Sequence, residues 1–296
     1  MSNRRTLLRH AGNLREMREI ISSMKSLAFM ETRRIEHFVD RQRRVVDIIE
    51  IAAADFLAFY PDTLARDTWA DGAERNRVLL VLGSERGFCG GFNESLVTEL
   101  AQQVRQADGG AAVVACGRRL CDRLVGHPQL VASLDGAAVA DEIEHTLNEL
   151  VSTLSEIQQR GPLLLRMLHH EPGREEVTVR DLLPPFTGPL PRIQRRAFAP
   201  QLNMLPREFL LELVDLYLFS VLHEILYLSL MAENQERLRH LEGAVRYLDE
   251  RLEALKHRSN QLRQEEITEE IEVILLSASD LAGITVNRRD GGGQAG

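Results

Sequence analysis

Cysteine is scarce in this chain of 296 residues: Cys89, Cys116 and Cys121 are the whole set. Three poorly spaced cysteines exclude a disulfide framework and a zinc site. With no secretory signal they imply a reducing cytoplasm. Aromatic residues make up 5% with one tryptophan, which fits a helix-rich protein, while 44% hydrophobic residues support a substantial core. Basic residues do not prevail. The balance of 36 to 44 acidic gives a net charge of -8, which argues against a dedicated nucleic-acid binder. No long apolar run is free of charge. Residues 209–231 come nearest, but they carry Glu212, Asp215, His223 and Glu224. A full charge at mid-bilayer costs roughly 2.5–3.5 kcal/mol on insertion scales. A helix covered by protein is therefore expected there, and any membrane role is peripheral. Nine histidines are scattered, and the His169–His170 pair lacks partners at ligand spacing, so no metal is expected.

Heptads are abundant instead. Leu7, Leu14, Ile21, Ala28 and Ile35 recur every seventh residue, and Met17, Met24, Phe38 and Val45 form a second row three residues on. The alternation returns late in the chain through Leu238, Leu241, Val245, Leu248, Leu252, Leu255 and Leu262. An apolar spacing of about 3.5 stays on one side of a helix only if the helix winds around a partner. The simplest partner for each terminal helix is the other, antiparallel. Polar interruptions at His10, Glu31 and Ser259 would fix register or mark where the pair meets a third surface. The first helix is also basic, with Arg4, Arg5, Arg9, Arg15, Arg18, Lys25, Arg33, Arg34, Arg41, Arg43 and Arg44. These form either a solvated face or a surface for an acidic partner or lipid headgroups.

The first helix should span about 3–60, stopped by Pro61. A polar linker over 63–76 follows. Buried strands are then expected at 78–82 and 111–116 and further strands at 130–134, 163–168 and 177–182, with helices at 94–106, 120–125 and 139–159 between them. Strands alternating with helices indicate an open, Rossmann-like α/β domain, here over 75–190. Prolines 184, 185, 189, 191 and 200 make 184–200 an extended linker. Pro206 fits the first turn of a last helix running to about 283, and 287–296 reads as a flexible tail.

One turn could carry chemistry. Gly83 to Asn93 is glycine-rich, follows the first strand and opens a helix, where α/β proteins cradle phosphates. The Lys-Ser/Thr pair of a P-loop and the GxGxxG spacing are both missing. A tight structural turn is expected, with Gly87, Gly90 and Gly91 letting Phe88 and Phe92 pack and Arg86 left for a protein contact. Ser133 and Ser155 lack a nucleophile setting. Late carboxylates, such as those in Glu233–Arg237 and Glu242–Arg246, read as a solvated helix face.

The segment Ser84-Glu85-Arg86-Gly87-Phe88-Cys89-Gly90-Gly91-Phe92-Asn93 resembles the S/T-D-R-G-L-C-G-G-x-N signature of the gamma subunit of F-type ATP synthases. Arg263 to Ile271 is similar to that family's R-Q-x-x-I-T-x-E-[LI] motif, and Ile20 to Ala28 to its I-T-K-A-M-x-M-V-A segment. The match follows the right order over nearly the whole chain. Ser22-Ser23-Met24 replaces Lys-Ala-Met, residues 235–258 are more charged than usual, and the tail runs past the family's ordinary end. No chloroplast dithiol insertion is present. These departures mark a divergent subtype.

The resemblance implies a non-catalytic rotor shaft without a cofactor. It would couple ion movement through the membrane sector to ATP synthesis or hydrolysis on the alpha/beta ring. Implied partners are the alpha and beta subunits, the epsilon subunit and the membrane c-ring, at the cytoplasmic face of the membrane. Implied contact residues are Met24, Lys25, Arg86, Arg263, Gln264 and Thr268. Two other classes remain open at this point. One is a cytoplasmic coiled-coil scaffold whose α/β domain binds a nucleotide or partner. The other is a small-molecule enzyme with helical arms.

Overall fold

Two long helices carry nearly half of the chain. The computed structural model describes residues 2–65, 76–107, 110–159, 161–186, 190–191 and 198–287. Most of the linkers expected at 63–76 and 184–200, and the tail from 288, lie outside the described residues. α1 (Ser2–Phe59) stops just before Pro61, and α6 runs Pro206–Asn287, past Gly283. Between them come α2 (Asp62–Ala65), β1 (Asn76–Leu82), α3 (Phe92–Gln106), β2 (Ala111–Cys116), α4 (Arg118–Leu124) and β3 (Leu130–Leu134). A short 3₁₀ turn (Ala140–Glu142), α5 (Ile143–Gln158), β4 (Leu163–His170) and β5 (Val177–Leu183) complete the order. The chain divides into two compact units, one of Met1–Met24 with Glu242–Gly296 and one of Lys25–Leu241.

In the first unit α1 and α6 pair antiparallel. Arg4 Nη1 lies 3.3 Å from Glu266 Oε2, and Arg18 Nε lies 2.5 Å from Asp249 Oδ1, so rising numbers on one helix meet falling numbers on the other. Leu7, Leu14 and Ile21 face the seam with Val245, Leu248, Leu252, Leu255, Ser259 and Leu262. The second row expected at Met17 is displaced. Met17 is 51% exposed, while Arg18, one residue later, is partly covered and ion-paired. His10 is exposed and does not interrupt the seam.

In the second unit the same correction holds at Val45. Val46 is buried and Val45 exposed, so at that level the row lies four residues after the first, while the expected Phe38 packs on α6 beside the buried Val39. Both Phe38-Val39 and Val45-Val46 are apolar pairs, and spacings of three and four are then equivalent in sequence. The packing partner decides between them. Here too the helices run antiparallel, with Gln42 Nε2 donating to the Ser220 carbonyl at 3.0 Å and Phe38 stacked on Tyr227 at 5.3 Å.

The sheet of this unit has the order β3-β2-β1-β4-β5. β1 pairs parallel with β2 and β4, β2 pairs parallel with β3, and β5 closes an antiparallel edge against β4. The central strands Val78–Leu82 and Val113–Cys116 are apolar at successive positions because a parallel sheet is covered on both faces. α3 and α4 cover one face through Phe92, Leu96, Leu100, Leu120 and Leu124. The other face packs on α5, α1 and α6 through Leu147, Leu150, Phe56, Val221 and Ile225. Residues 209–231 are accordingly a protein-covered helix. Their one buried carboxylate, Glu224, meets Arg43 of α1 and Arg180 of β5, each at 3.6 Å. Glu31 does mark a third surface, since its Oε1 accepts the Ala140 N–H at 2.8 Å where the 3₁₀ turn begins.

Candidate functional site

The glycine turn leaves β1 at Gly83 and enters α3 at Phe92, at the carboxyl end of the sheet where open α/β folds place their ligands. In this chain that space is filled by backbone and by the Leu120 side chain. A Cβ on Gly83 would lie 2.2 Å from Leu120 Cβ, and one on Gly136 would lie 3.0 Å from Gly117 Cα. Glu85 stitches the strand ends together, its Oε2 accepting N–H groups from Arg118 at 2.9 Å and Gly136 at 2.7 Å. Asn93, the last residue of the signature, closes the turn on itself. Its Oδ1 takes the Ser84 N–H at 3.0 Å and its Nδ2 donates to Ser84 Oγ at 2.8 Å.

The two oxygens of Glu233, from α6, take the N–H groups of Glu85 at 3.1 Å and Arg86 at 3.2 Å. Arg237, one helical turn on, bonds the same carboxylate through Nη2. The same Nη2 also reaches Cys89 Sγ at 3.4 Å, while Nε donates to the Gly87 carbonyl at 3.2 Å and Nη1 to Asn234 Oδ1 at 2.7 Å. Glu233 and Arg237 are 3% and 5% exposed, so the solvated face expected for this pair is wrong. Burial pushes the Glu233 carboxyl up, and the guanidinium and two N–H groups pull it back. Burial also drives the Cys89 thiol to about 12, which leaves it protonated and unreactive.

The aromatic residues of the turn behave differently from each other. Phe92 is buried against His170, with ring centroids 4.3 Å apart. Phe88 does not pack: it is 53% exposed at φ 65°. Among the three glycines expected to shape the turn, only Gly90 has a positive φ, at 53°.

His170 shares its Nε2 between Ser95 Oγ at 2.9 Å and the Phe92 carbonyl at 3.0 Å. It borders a cleft of about 280 Å³ formed by α3, the β4–β5 turn and α6. No group of metal-ligating side chains is present among the described residues. A serine–histidine contact without an orienting carboxylate, and with the histidine committed to a carbonyl, gives no activated nucleophile.

The site residues inferred from sequence are scattered. Arg86 is in the turn, its side chain exposed and its N–H on Glu233. Arg263, Gln264 and Thr268 are exposed on α6 on either side of Glu266, which meets Arg4, and Thr268 Oγ1 donates to the Gln264 carbonyl at 2.9 Å. Met24 is partly covered in the same unit, about 30 Å along α1 from the residue that meets Glu266. Lys25 is partly covered in the other unit. Glu233 and Arg237 were missed, although a signal for them existed. They continue the buried row of Leu226 and Leu230 toward Leu241 at spacings of three and four.

A family profile described as ATP synthase matches residues 3–281. The ATP synthase gamma chain of Clostridium beijerinckii is 22% identical over 271 residues, covering 88% of this chain and 92% of that one. The gamma chain of Gluconobacter oxydans is 24% identical over 291 residues, covering 90% and 95%. Among solved structures, a chain of the Euglena gracilis mitochondrial ATP synthase (OSCP/F1/c-ring, rotational state 3) superposes with a TM-score of 0.61 at 13% identity, covering 100% of this chain and 99% of that one. A chain of the Tetrahymena thermophila central stalk and c-ring superposes at 0.55 and 14%, covering 76% and 99%. These structures share the fold: long terminal helices flanking a mixed α/β sheet. The chain belongs to the ATP synthase family, and the curated relatives that it matches over nearly their whole length are gamma chains.

Proposed function

We propose that the paired segments of α1 and α6 turn inside a ring of alpha and beta subunits, while the α/β domain meets the epsilon subunit and the c-ring. The supporting observation is the end of α6. Beyond the Arg4–Glu266 ion pair, Ile267, Ile271, Val273, Ile274, Leu275 and Leu276 are all about half or more exposed. Apolar residues exposed around a helix are unfavourable in water and suit an apolar sleeve. Arg263, Gln264 and Thr268, just before and among them, supply polar side chains for the ring. In this reading the shaft comprises residues 1–60 and 206–283 and the foot residues 75–190.

Coupling follows from population shift. A shaft of two unlike helices presents a different face to each catalytic site of the ring and so favours a different conformation at each. The chemistry stays on the ring, and Met24, Lys25 and Arg86 are further contacts. No helix among the described residues is long and apolar enough to cross a membrane, so attachment to the cytoplasmic face of the membrane runs through the partners. Affinity purification of the tagged full chain from its own cells, with mass spectrometry, tests this reading. Recovery of alpha, beta, epsilon and c subunits is expected. A chain that purifies without them refutes the assignment.

A further inference from the structure

We propose that the glycine turn is an anion nest whose permanent ligand is the Glu233 carboxylate, so that the foot grips the long helix as a phosphate-binding turn grips a phosphate. Successive backbone N–H groups, those of Glu85 and Arg86, converge on the two oxygens of one carboxylate. Convergent neighbouring amides are the geometry by which turns hold anions. The third donor is the Arg237 guanidinium, itself held by the Gly87 carbonyl and Asn234. Every donor is therefore aimed before the carboxylate is counted, and the pair is buried.

This arrangement accounts for two features together. The turn has the position of a phosphate site but no Lys-Ser/Thr pair, because its anion arrives already attached to α6. The signature also needs no particular side chain at position 86 for this grip, because the contact uses the backbone. If the chain is a rotor shaft, as proposed above, Glu233 and Arg237 are positioning residues that lock α6 against turning relative to the sheet. Force on the foot then passes to the shaft at this level.

Chemical rescue tests the nest. Glu233→Ala leaves the donors around a space that formate can fill, whereas Glu233→Gln keeps the volume but turns an amide NH₂ toward donors. Thermal unfolding of the full chain is measured in sodium formate and in sodium chloride at matched ionic strength. Both variants are expected to unfold at lower temperature than the parent. Formate should raise the midpoint of Glu233→Ala by a few degrees, as ligand linkage requires, and leave Glu233→Gln and the parent unchanged. Equal formate effects on all three proteins, or parent-like stability of Glu233→Gln, would overturn the nest. If Glu233→Ala is recovered only unfolded, its refolding yield in formate against chloride gives the same comparison.

The assembled complex supplies a second readout. Glu233→Ala should lower the ions moved per ATP hydrolysed at least twofold, and formate should restore the ratio. Unchanged coupling alongside formate rescue of stability would overturn the torque role and leave the nest standing. The unfolding measurement needs no complex, so it decides the nest even if the rotor reading fails.

Discussion

A Cβ placed on Gly117 would lie 2.5 Å from the carbonyl oxygen of Gly83, so the ends of β2 and β1 meet backbone to backbone. Gly117 also sits at φ 109°, where side chains are strained. This contact lets Glu85 reach across to the Gly136 N–H and seals the crevice where an open sheet usually takes its ligand.

Gly117→Ala is accordingly expected to destabilise the second unit by about 3 kcal/mol, combining left-handed strain with overpacking. Gly12→Ala is the control. Nothing lies within 4 Å of its added Cβ, and the change should stabilise the helix by up to about 1 kcal/mol. Urea unfolding of the two variants checks both signs. Gly90→Val should fall on the destabilised side, since φ 53° suits no β-branched residue.

Nucleotide binding provides a second test. The Glu85 and Arg86 N–H groups already hold Glu233. Titration calorimetry of the isolated chain with ATP, ADP or NAD should therefore give no saturable heat. Micromolar binding that disappears with Arg86→Ala would favour a nucleotide-binding scaffold instead.

Coupling should depend on the exposed polar residues near the end of α6. Charged hydrogen bonds to a partner are worth roughly 1.5–3 kcal/mol each. Arg263→Ala with Gln264→Ala should thus reduce coupled turnover or assembly about tenfold or more, while the helix content of the isolated chain stays unchanged. Pumping and hydrolysis assays on the purified complex, with circular dichroism of the chain, make the comparison. Normal assembly and coupling would remove these residues from the contact set.

Part of the acid sensitivity should trace to His169, beside His170 and His223, whose pKa values burial also lowers. Burial lowers its pKa from 6.5 to about 4, against raising contributions from the His170 carbonyl and Glu171 and lowering ones from Arg180 and His170. Between those two values the unfolded chain binds a proton that the folded chain does not. Stability therefore falls as pH drops through this window and levels off below it. His169→Gln should flatten that limb by roughly 2–3 kcal/mol, read from denaturant midpoints across the pH range.

Much of this fold follows from local pattern. Heptads specify helices with a seam, and the valine- and leucine-rich runs specify strands covered on both faces, because each needs only the repeat of one backbone geometry. The strand at 111–116 falls where the sequence places it for that reason. The glycine signature marks the turn for the same reason, since glycine and asparagine are the residues a tight strand-to-helix connection demands.

Tertiary structure alone settles which apolar residue of a neighbouring pair faces the seam, as buried Val46 beside exposed Val45 illustrates. It also settles the fate of charge. Glu233 and Arg237 carry the i,i+4 spacing of an ordinary surface pair, and only the approach of a turn 147 or more residues earlier makes them a buried clamp. Periodicity fixes the direction in which a side chain leaves its helix. What it meets there depends on long-range packing, and for a charged group that meeting decides whether it is solvated or held by donors.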